Sequence, residues 1–328
     1  MQPQPPPSAV IFTLINAFLT ARCLHVLADA GVADVLDDAP VTAVDAAAAT
    51  GLNADALNRM LRLLAANGVF AHDAGGYVHT PASRLLRTDH PQSMRSIARM
   101  VGLPMCWNNA TELRHAATTG RPALDWASMV EHLSAHPDES SLFNQAMVDK
   151  SSAIIPAIVD AYDFAAFGTV ADIGGGYGHL VRAILDRCPS TSGVLFDLPH
   201  VIDDAAQTPA SRLRLDAGDF FRDPLPVADA YVAMEVLHDW NDEDAAKILS
   251  AIRRAAPSHA RLLIAEQLIT DAPGAHSAKL MDVVMLAITG GRERTPAEYT
   301  ALLAAAGFRL ARVIPTPSPY AIVEAVVA

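Results

Sequence analysis

The stretch that decides the fold runs from Val170 to His179 and reads VADIGGGYGH. A short apolar run breaks into a glycine cluster, which is typical of a buried strand that turns into a helix. Glycine lets the backbone approach a ligand closely, and the free N–H groups of a helix start attract anions. The spacing from Gly174 is G-x-G-x-G, whereas a dinucleotide site would place a third glycine at His179. The stretch therefore predicts a ligand-binding turn at the edge of a sheet.

Composition indicates a soluble globular protein. Of the 328 residues, 51% are hydrophobic and 18% are charged, and the formal net charge is −12. This charge disfavours non-specific binding to nucleic acid or to anionic lipid. The cysteines, Cys23, Cys106 and Cys188, lie far apart without metal-ligand spacing. We therefore expect no metal site and a reducing, cytoplasmic location.

The first apolar run, Ala9 to Ala21, is shorter than a bilayer requires and follows no basic segment. We therefore expect neither a signal peptide nor a membrane anchor. The run belongs to a predicted helix over residues 8–30 that is apolar on nearly every side. Since such a helix packs against more than its own domain, we expect a dimer partner.

The residues that follow predict the element order of a winged helix. Two short helices between residues 44 and 66 precede a hairpin over residues 69–79. This order is also found in DNA-binding domains, but the would-be recognition helix offers only Arg59 and Arg62 as basic residues. We therefore favour a structural, dimerising role and expect no nucleic-acid partner.

From Val170 onward, short apolar runs alternate with helical segments, which predicts a doubly wound, mostly parallel sheet of the α/β class. The last two runs, 308–314 and 320–327, are joined by a link too short for a crossover helix. They must therefore pair antiparallel. The predicted domains are a winged-helix-like dimerisation domain at 1–90, a helical substrate-pocket region at 91–155 and a cofactor-binding catalytic domain at 156–328.

Ligands of an open parallel sheet bind at the carboxyl ends of its strands, and the residues there are informative. Asp197 lies in FDLP, where a carboxylate can bind a ribose diol, a feature that suits NAD equally well. Asp219 and Phe220 lie in GDFF, where an acceptor beside aromatic rings suits an adenine. His238 follows the next strand in LHDWNDE, and Glu266 ends the strand after it.

Together these motifs resemble those of the class I S-adenosylmethionine-dependent small-molecule O-methyltransferases, the family of the caffeate and hydroxyindole enzymes. The resemblance rests on FDLP, GDFF, VLHDWNDE and the later GGRERT, and it spans nearly the whole chain. It implies a homodimer formed through the N-terminal domain, S-adenosylmethionine as cofactor and a small aromatic substrate. It also implies that His238 is the general base, with Glu266 and Glu293 as the acidic residues beside it.

The same resemblance implies a set of cofactor contacts, with Met147 and Ser151 at the methyl end and Trp240 on the adenine side. The full set is Gly174, Gly176, Asp197, Leu198, Asp219, Phe220, Met147, Ser151 and Trp240. Two positions depart from the family pattern and bear on cofactor affinity. Met234 stands where a lysine is often found, and Tyr177 stands where threonine or serine is common.

The residue types also fit methyl transfer to a phenol by themselves. A phenol titrates near pH ~10 and an imidazole near ~6.5, so a positioned histidine can take the proton as the oxygen attacks. A carboxylate such as Glu266 on the other ring nitrogen would fix the tautomer and stabilise the imidazolium. Sulfonium and phenolate charges neutralise each other in the transition state, so alignment in a dry pocket favours the reaction without a metal.

Other interpretations stay open at this point. The same fold can host hydroxylation or pericyclic chemistry, and a winged-helix regulator can use the cofactor fold as a sensor. A nicotinamide-dependent oxidoreductase is a third possibility, which the missing third glycine and the HDW motif disfavour. Glu293 lies between two arginines and can be simply ion-paired, Asp219 can cap a turn, and Asp172 is interpreted as bonding the glycine turn. Neither the acceptor nor the choice between oxygen and nitrogen follows from the residues.

Overall fold

The computed structural model describes residues 6–37, 39–124 and 126–328. The chain divides into two compact units, each described here by itself. The first contains the described residues up to Asn108 together with Glu131–Lys150, and the second contains Asn109–Val130 together with Ser151–Ala328.

The helices are α1 Pro7–Asp29, α2 Val32–Val35, α3 Ala43–Thr50, α4 Ala54–Ala66, α5 Pro81–Arg84, α6 Arg95–Val101, α7 Pro104–Thr111, α8 Leu113–Thr119, α9 Trp126–Ala135, α10 Pro137–Ala161, α11 His179–Arg187, α12 Pro199–Ala205, α13 Asp242–Ala255, α14 Ser277–Ile288 and α15 Pro296–Ala305. The strands are β1 Phe70–Asp73, β2 Gly76–His79, β3 Thr169–Ile173, β4 Ser192–Asp197, β5 Leu213–Ala217, β6 Ala230–Met234, β7 Arg261–Gln267, β8 Phe308–Pro315 and β9 Tyr320–Val327. Two 3₁₀ turns cover Phe164–Ala166 and Leu237–Asp239.

The first unit confirms the predicted order of two short helices and a hairpin. Thr42 caps α3 by accepting the Asp45 N–H, and Asn53 caps α4 by accepting the Ala56 N–H. β1 and β2 pair antiparallel behind them. Leucines at helical spacing on α4 are fully buried against the hairpin, which gives this unit its own core.

Helix α1 is longer than the apolar run in the sequence, because it continues through Arg22 and His25 to Asp29. It is near the N-terminus and, by length and composition alone, long and apolar enough to cross a membrane. Phe12 is 70% exposed and Ile15 is 65% exposed. The first half of α1 therefore presents an apolar surface that requires a partner.

The second unit contains a seven-stranded sheet with the strand order β5-β4-β3-β6-β7-β9-β8. The first five strands in this order are parallel, and β9 pairs antiparallel with both β7 and β8. This confirms the predicted doubly wound sheet with an antiparallel C-terminal hairpin. The strand order reverses between β3 and β6, so the carboxyl ends of these two strands flank the crevice in which α/β proteins bind ligands.

Both faces of this sheet are covered, which explains why its central strands, β3, β4, β6 and β7, are largely buried. One face packs on α13 and α15, and the other packs on α11 and on the part of α10 that follows Ser151. Because both faces are buried, only the edges of the sheet can hold a polar site.

Candidate active site

The glycine turn joins β3 to α11 at the carboxyl edge of the sheet. Gly174, Gly176 and Gly178 have φ of +68°, +59° and +76°, a region that L-residues rarely adopt. A Cβ at Gly175 would lie 2.5 Å from the Asp172 carboxyl group. The turn therefore requires glycine both for its backbone and for its close approach to β3.

Asp172 is buried beneath this turn. Its Oδ2 accepts the Val181 N–H at 3.3 Å, and its Oδ1 has no hydrogen-bond partner within the part of the chain that the structure describes. Burial raises the pKa of Asp172 to about 7. The hydrogen bond from the Val181 N–H lowers this pKa, and the nearby charge of Asp197 raises it further. Asp172 therefore binds the backbone of α11 rather than that of the glycine turn, which was the partner expected from the sequence.

Asp197 ends β4 directly beside the glycine turn. Its Oδ2 accepts the Gly176 N–H at 2.8 Å, and its Oδ1 accepts the Leu198 N–H at 2.7 Å. Burial raises the pKa of Asp197, while the two N–H groups oppose that rise. Each carboxylate oxygen has a second lone pair, so a ribose diol can still donate to it.

Aromatic rings lie beyond the end of β5. Phe221 and Trp240 meet edge to face with centroids 4.8 Å apart, and Phe220 lies 5.9 Å from Trp240. Asp219 accepts the Phe221 N–H at 2.9 Å, so it does close a turn, and it retains accepting capacity. A carboxylate for the diol, an acceptor with aromatic rings for the adenine and a glycine turn together fit S-adenosylmethionine.

The other positions predicted for the cofactor are divided between the units. Met147 and Ser151 are half-buried and lie one turn apart on α10, the first in unit one and the second at the start of a segment of unit two. Their contact with the cofactor stays a prediction. Of the two departures, Met234 is the last residue of β6 and packs, partly buried, against the core, and the Tyr177 hydroxyl lies 3.5 Å from Asp204 on α12.

His238 lies in the 3₁₀ turn that follows β6, and only 4% of it is exposed. Its Nδ1 is 2.9 Å from Oε1 of Glu293, which is itself buried. The prediction that Glu266 lies on this ring nitrogen is wrong. Glu293 of the GGRERT segment occupies the position instead.

Glu266 holds the backbone of the turn rather than the ring. Its Oε1 accepts the N–H groups of Leu237 and His238, at 2.7 and 3.1 Å, and its Oε2 accepts from the Tyr299 hydroxyl. The reason is register: Met234, the last residue of β6, pairs with Ala265, so Glu266 lies beside the exit of the chain from the sheet. Burial raises the pKa of Glu266, and the nearby His238 and Tyr299 lower it.

Several carboxylates surround His238. Asp239 Oδ1 is 3.7 Å from Nε2, and the charges of Glu235 and Glu266 add to that of Glu293. Burial by itself lowers the pKa of His238, but the carboxylates outweigh it and raise the pKa to about 9. The site therefore favours the imidazolium, which is the product of proton abstraction.

Three buried or strained residues were missed by the sequence analysis. Arg294 is fully buried and binds the turn of His238, although it lies in a charged segment that looks solvent-exposed in the sequence. Tyr299 is fully buried against Glu266 and has no distinctive sequence signal. Glu235 has a positive φ of +55° and accepts from the Tyr320 hydroxyl.

A cavity of about 540 Å³ lies at the opposite, amino edge of the sheet. His259, Arg261 and Arg312 are among its lining residues, and none of the candidate site residues lines it. This cavity is therefore separate from the residues predicted for the site.

Two protein families match the chain. Residues 12–89 match the O-methyltransferase dimerisation domain, and residues 111–309 match the O-methyltransferase domain. A phenazine O-methyltransferase of Lysobacter antibioticus is 38% identical over 329 residues, which cover 98% of this chain and 96% of that protein.

Two further relatives bear on cofactor and acceptor. The crystal structure of a methyltransferase of calicheamicin biosynthesis, in its S-adenosylhomocysteine-bound form, superimposes with a TM-score of 0.89 and 36% identity over 98% of each chain. An 8-amino-8-demethylriboflavin N,N-dimethyltransferase of Streptomyces davaonensis is 34% identical and covers 93% of this chain and 91% of that protein.

Proposed function

We propose that this chain, which belongs to the S-adenosylmethionine-dependent O-methyltransferase family, methylates a phenolic hydroxyl of a small aromatic metabolite with His238 as general base. Its membership of the family is shown by the two matched domains, and S-adenosylmethionine is its cofactor. The observation that carries the choice of base is the buried pair of His238 and Glu293, 2.9 Å apart.

The cofactor would be held by the residues at the ends of β3, β4 and β5. Asp197 would accept from the ribose diol, and Asp219 would accept from the adenine amino group beside the rings of Phe220 and Trp240. The backbone of the glycine turn at Gly174 and Gly176 would lie against the methionine end, because glycine allows a ligand to approach closely. When bound, S-adenosylmethionine supplies an electrophilic methyl group on a sulfonium centre.

His238 would take the proton of the acceptor hydroxyl on Nε2. Because a carboxylate accepts from Nδ1–H, the bond to Glu293 leaves Nε2 as the acceptor. The carboxylates around the ring then stabilise the imidazolium that forms. Glu266 would contribute by holding the turn in place, since its carboxylate contacts the backbone of the turn.

We infer that a second copy of this chain covers the apolar surface of α1. The dimerisation domain matched at residues 12–89 includes most of that helix, and its side chains from Val10 to Leu19 are exposed in a single copy. Size-exclusion chromatography with light scattering should give the mass of a dimer. Replacing Phe12 and Ile15 by serine should give a monomer. If the wild type instead sediments together with lipid vesicles, the apolar surface binds a membrane and the dimer proposal is wrong.

The cofactor assignment is tested by calorimetric titration of S-adenosylhomocysteine into protein stripped of bound nucleotide. We expect micromolar binding by the wild type and its loss in Asp197→Ala, because the ribose diol loses its acceptor. Asp229→Ala removes a carboxylate at the other edge and should leave the affinity unchanged.

The reaction is tested by incubating the protein and S-adenosylmethionine with a hydroxyphenazine, a catechol and an aminophenol, followed by mass spectrometry and NMR of the products. Gain of one methyl group on oxygen, lost in His238→Ala, is the expected result. Methylation of nitrogen would show that the acceptor is an amine rather than a hydroxyl. A hydroxylated or rearranged product without methyl gain would overturn the proposal.

A further inference from the structure

The turn that carries His238 is held partly by its own backbone and partly by groups from other elements. Among its own backbone, only the Asp239 and Trp240 N–H groups find partners within the turn. The N–H groups of Leu237 and His238 are accepted by Glu266. Since a buried backbone polar group requires a partner, the position of this turn depends on the groups that bind it.

Three carbonyl groups, those of Leu237, His238 and Trp240, accept hydrogen bonds from the segment that contains Arg292 and Arg294. The Arg292 N–H donates to the His238 carbonyl at 2.8 Å. The Arg294 guanidinium donates to the Leu237 carbonyl at 2.9 Å and to the Trp240 carbonyl at 2.8 Å. These two carbonyls lie at either end of the turn, so one planar group fixes both ends.

Arg294 is fully buried, and its charge is compensated from the surface. Its Nε donates to Oδ1 of Asp242 at 2.9 Å, and the Asp242 side chain is 58% exposed. Each nitrogen of the guanidinium therefore has an acceptor. A lysine has one point charge in place of the planar fork and cannot bind three acceptors in the same directions.

The segment from Gly291 to Arg294 also packs closely against the His238 turn at Gly291. A Cβ at Gly291 would lie 1.9 Å from the His238 carbonyl oxygen. The same segment supplies Glu293 to the histidine ring. The stretch from Gly291 to Arg294 therefore contacts both the ring and the backbone of His238.

We propose that Arg294 is a positioning residue, which binds both ends of the His238 turn and thereby aligns the base with Glu293 and with the acceptor. The proposal rests on the function proposed above only for the identity of the base. Its effect on the reaction would pass through His238 and through no contact of Arg294 with cofactor or acceptor.

The chain offers a matched control in Arg212. Like Arg294, which binds two backbone carbonyls and a carboxylate, Arg212 donates to the backbone through its guanidinium, but its partners are the Leu185, Cys188 and Thr191 carbonyls at the amino end of β5. Arg212→Lys therefore removes the same kind of contact away from the His238 turn. It should lower thermal stability without changing the chemistry.

The first readout is the titration of His238 by NMR of histidine-labelled protein. The chain has 12 histidines, so the resonance of His238 is identified by its loss in His238→Gln. We expect Arg294→Lys to move the pKa of His238 from about 9 toward 6.5, because the ring leaves Glu293. Arg212→Lys should leave it in place, and an unmoved pKa in Arg294→Lys would overturn the proposal.

The second readout is kcat with the acceptor identified in the panel, followed with radiolabelled methyl groups. We expect Arg294→Lys to lower kcat about 10- to 100-fold, as for a base misplaced by about 1 Å, and to change the affinity for S-adenosylhomocysteine less than about twofold. In a His238→Ala background the same substitution should change kcat less than about twofold, since there is no base left to align. A loss that persists in that background would overturn the proposal.

If Arg294→Lys does not fold, Asp242→Asn replaces it. This variant keeps the arginine and removes its exposed partner, and we expect a shift of the His238 pKa in the same direction but smaller. If no acceptor is methylated by the wild type, the proposed function fails, whereas the NMR titration still decides whether Arg294 positions His238.

Discussion

The sheet carries one histidine–carboxylate pair at the carboxyl ends of its strands and another at the amino ends. The distance between nitrogen and oxygen is the same in both pairs. At the carboxyl edge His238 is 2.9 Å from Glu293, and at the amino edge His259 is 2.9 Å from Asp229. The side chains of the first pair are 5% and 0% exposed, whereas those of the second are 65% and 36% exposed. The difference between them is burial.

Burial changes what such a pair can do. At the amino edge water screens the charges, and the pair contributes little beyond a surface hydrogen bond. At the carboxyl edge the ring is buried among several carboxylates, which raise the pKa of His238 and stabilise the imidazolium. The first pair therefore suits the proposed general base, whereas the second has the surroundings of an ordinary surface contact.

The largest expected difference lies in the rate of methyl transfer. His238→Ala should lower kcat by about 10²- to 10⁴-fold, because the general base is lost. His259→Ala should leave kcat within about twofold of the wild type. Single-turnover kinetics with labelled cofactor measure the rate of methyl transfer in both variants. Equal rates would contradict the proposal that only the pair of His238 and Glu293 takes part in the reaction.

The carboxylate partners should differ in the same direction. Glu293→Gln should lower kcat about 10- to 100-fold, because an amide does not stabilise the imidazolium. In the wild type kcat/KM for the acceptor should rise with pH up to about 9, since the neutral imidazole is the base. In Glu293→Gln that rise should occur at lower pH, whereas Asp229→Asn should retain the wild-type profile.

Stability against pH should also separate the pairs. The pKa of His238 is raised to about 9 in the folded protein, against about 6.5 when unfolded. Its contribution to stability is therefore fully present below pH ~6.5 and is lost as the pH rises through about 9. Urea unfolding at fixed protein concentration should show roughly 3 kcal/mol of this loss in the wild type and none in His238→Gln.

The smallest effect is expected at Asp229. The hydrogen bond from His259 lowers the pKa of Asp229, burial opposes this, and the Thr169 N–H lowers it further. Its contribution is therefore present above the unfolded pKa of about 3.9 and is lost as the pH falls below it. Asp229→Asn should lower the free energy of unfolding by less than about 1 kcal/mol near neutral pH. A larger loss in urea unfolding would contradict the expectation that the exposed pair contributes less than the buried one.

The fold and the edge that carries the site were predictable, because they depend on local patterns. Alternating apolar runs indicate β3, β4, β6 and β7, and the short link before Tyr320 requires the antiparallel hairpin. Gly174, Asp197 and His238 each follow a strand in sequence, and the carboxyl ends of parallel strands meet at one edge. No contact information is needed for this step.

The partners within the site were not predictable, because they depend on register and on side-chain reach. Glu266 and Glu293 are equivalent acids in the sequence, and only the pairing of Met234 with Ala265 places Glu266 against the backbone of the turn. Arg294 looks like a surface residue of a charged segment. Its burial is possible because the fold brings it two carbonyls and Asp242, none of which is near it in sequence.

Gly291 has a consequence for how substitutions in this protein are interpreted. The space for even one methyl group at this position is already occupied by the carbonyl oxygen of His238. A mutational scan scored on product formation would therefore place Gly291 among the essential positions, although it has no side chain to bind, donate or accept. Sensitivity of that kind marks a place where two loops meet, and a homologous chain with any other residue there must carry its histidine in a displaced turn.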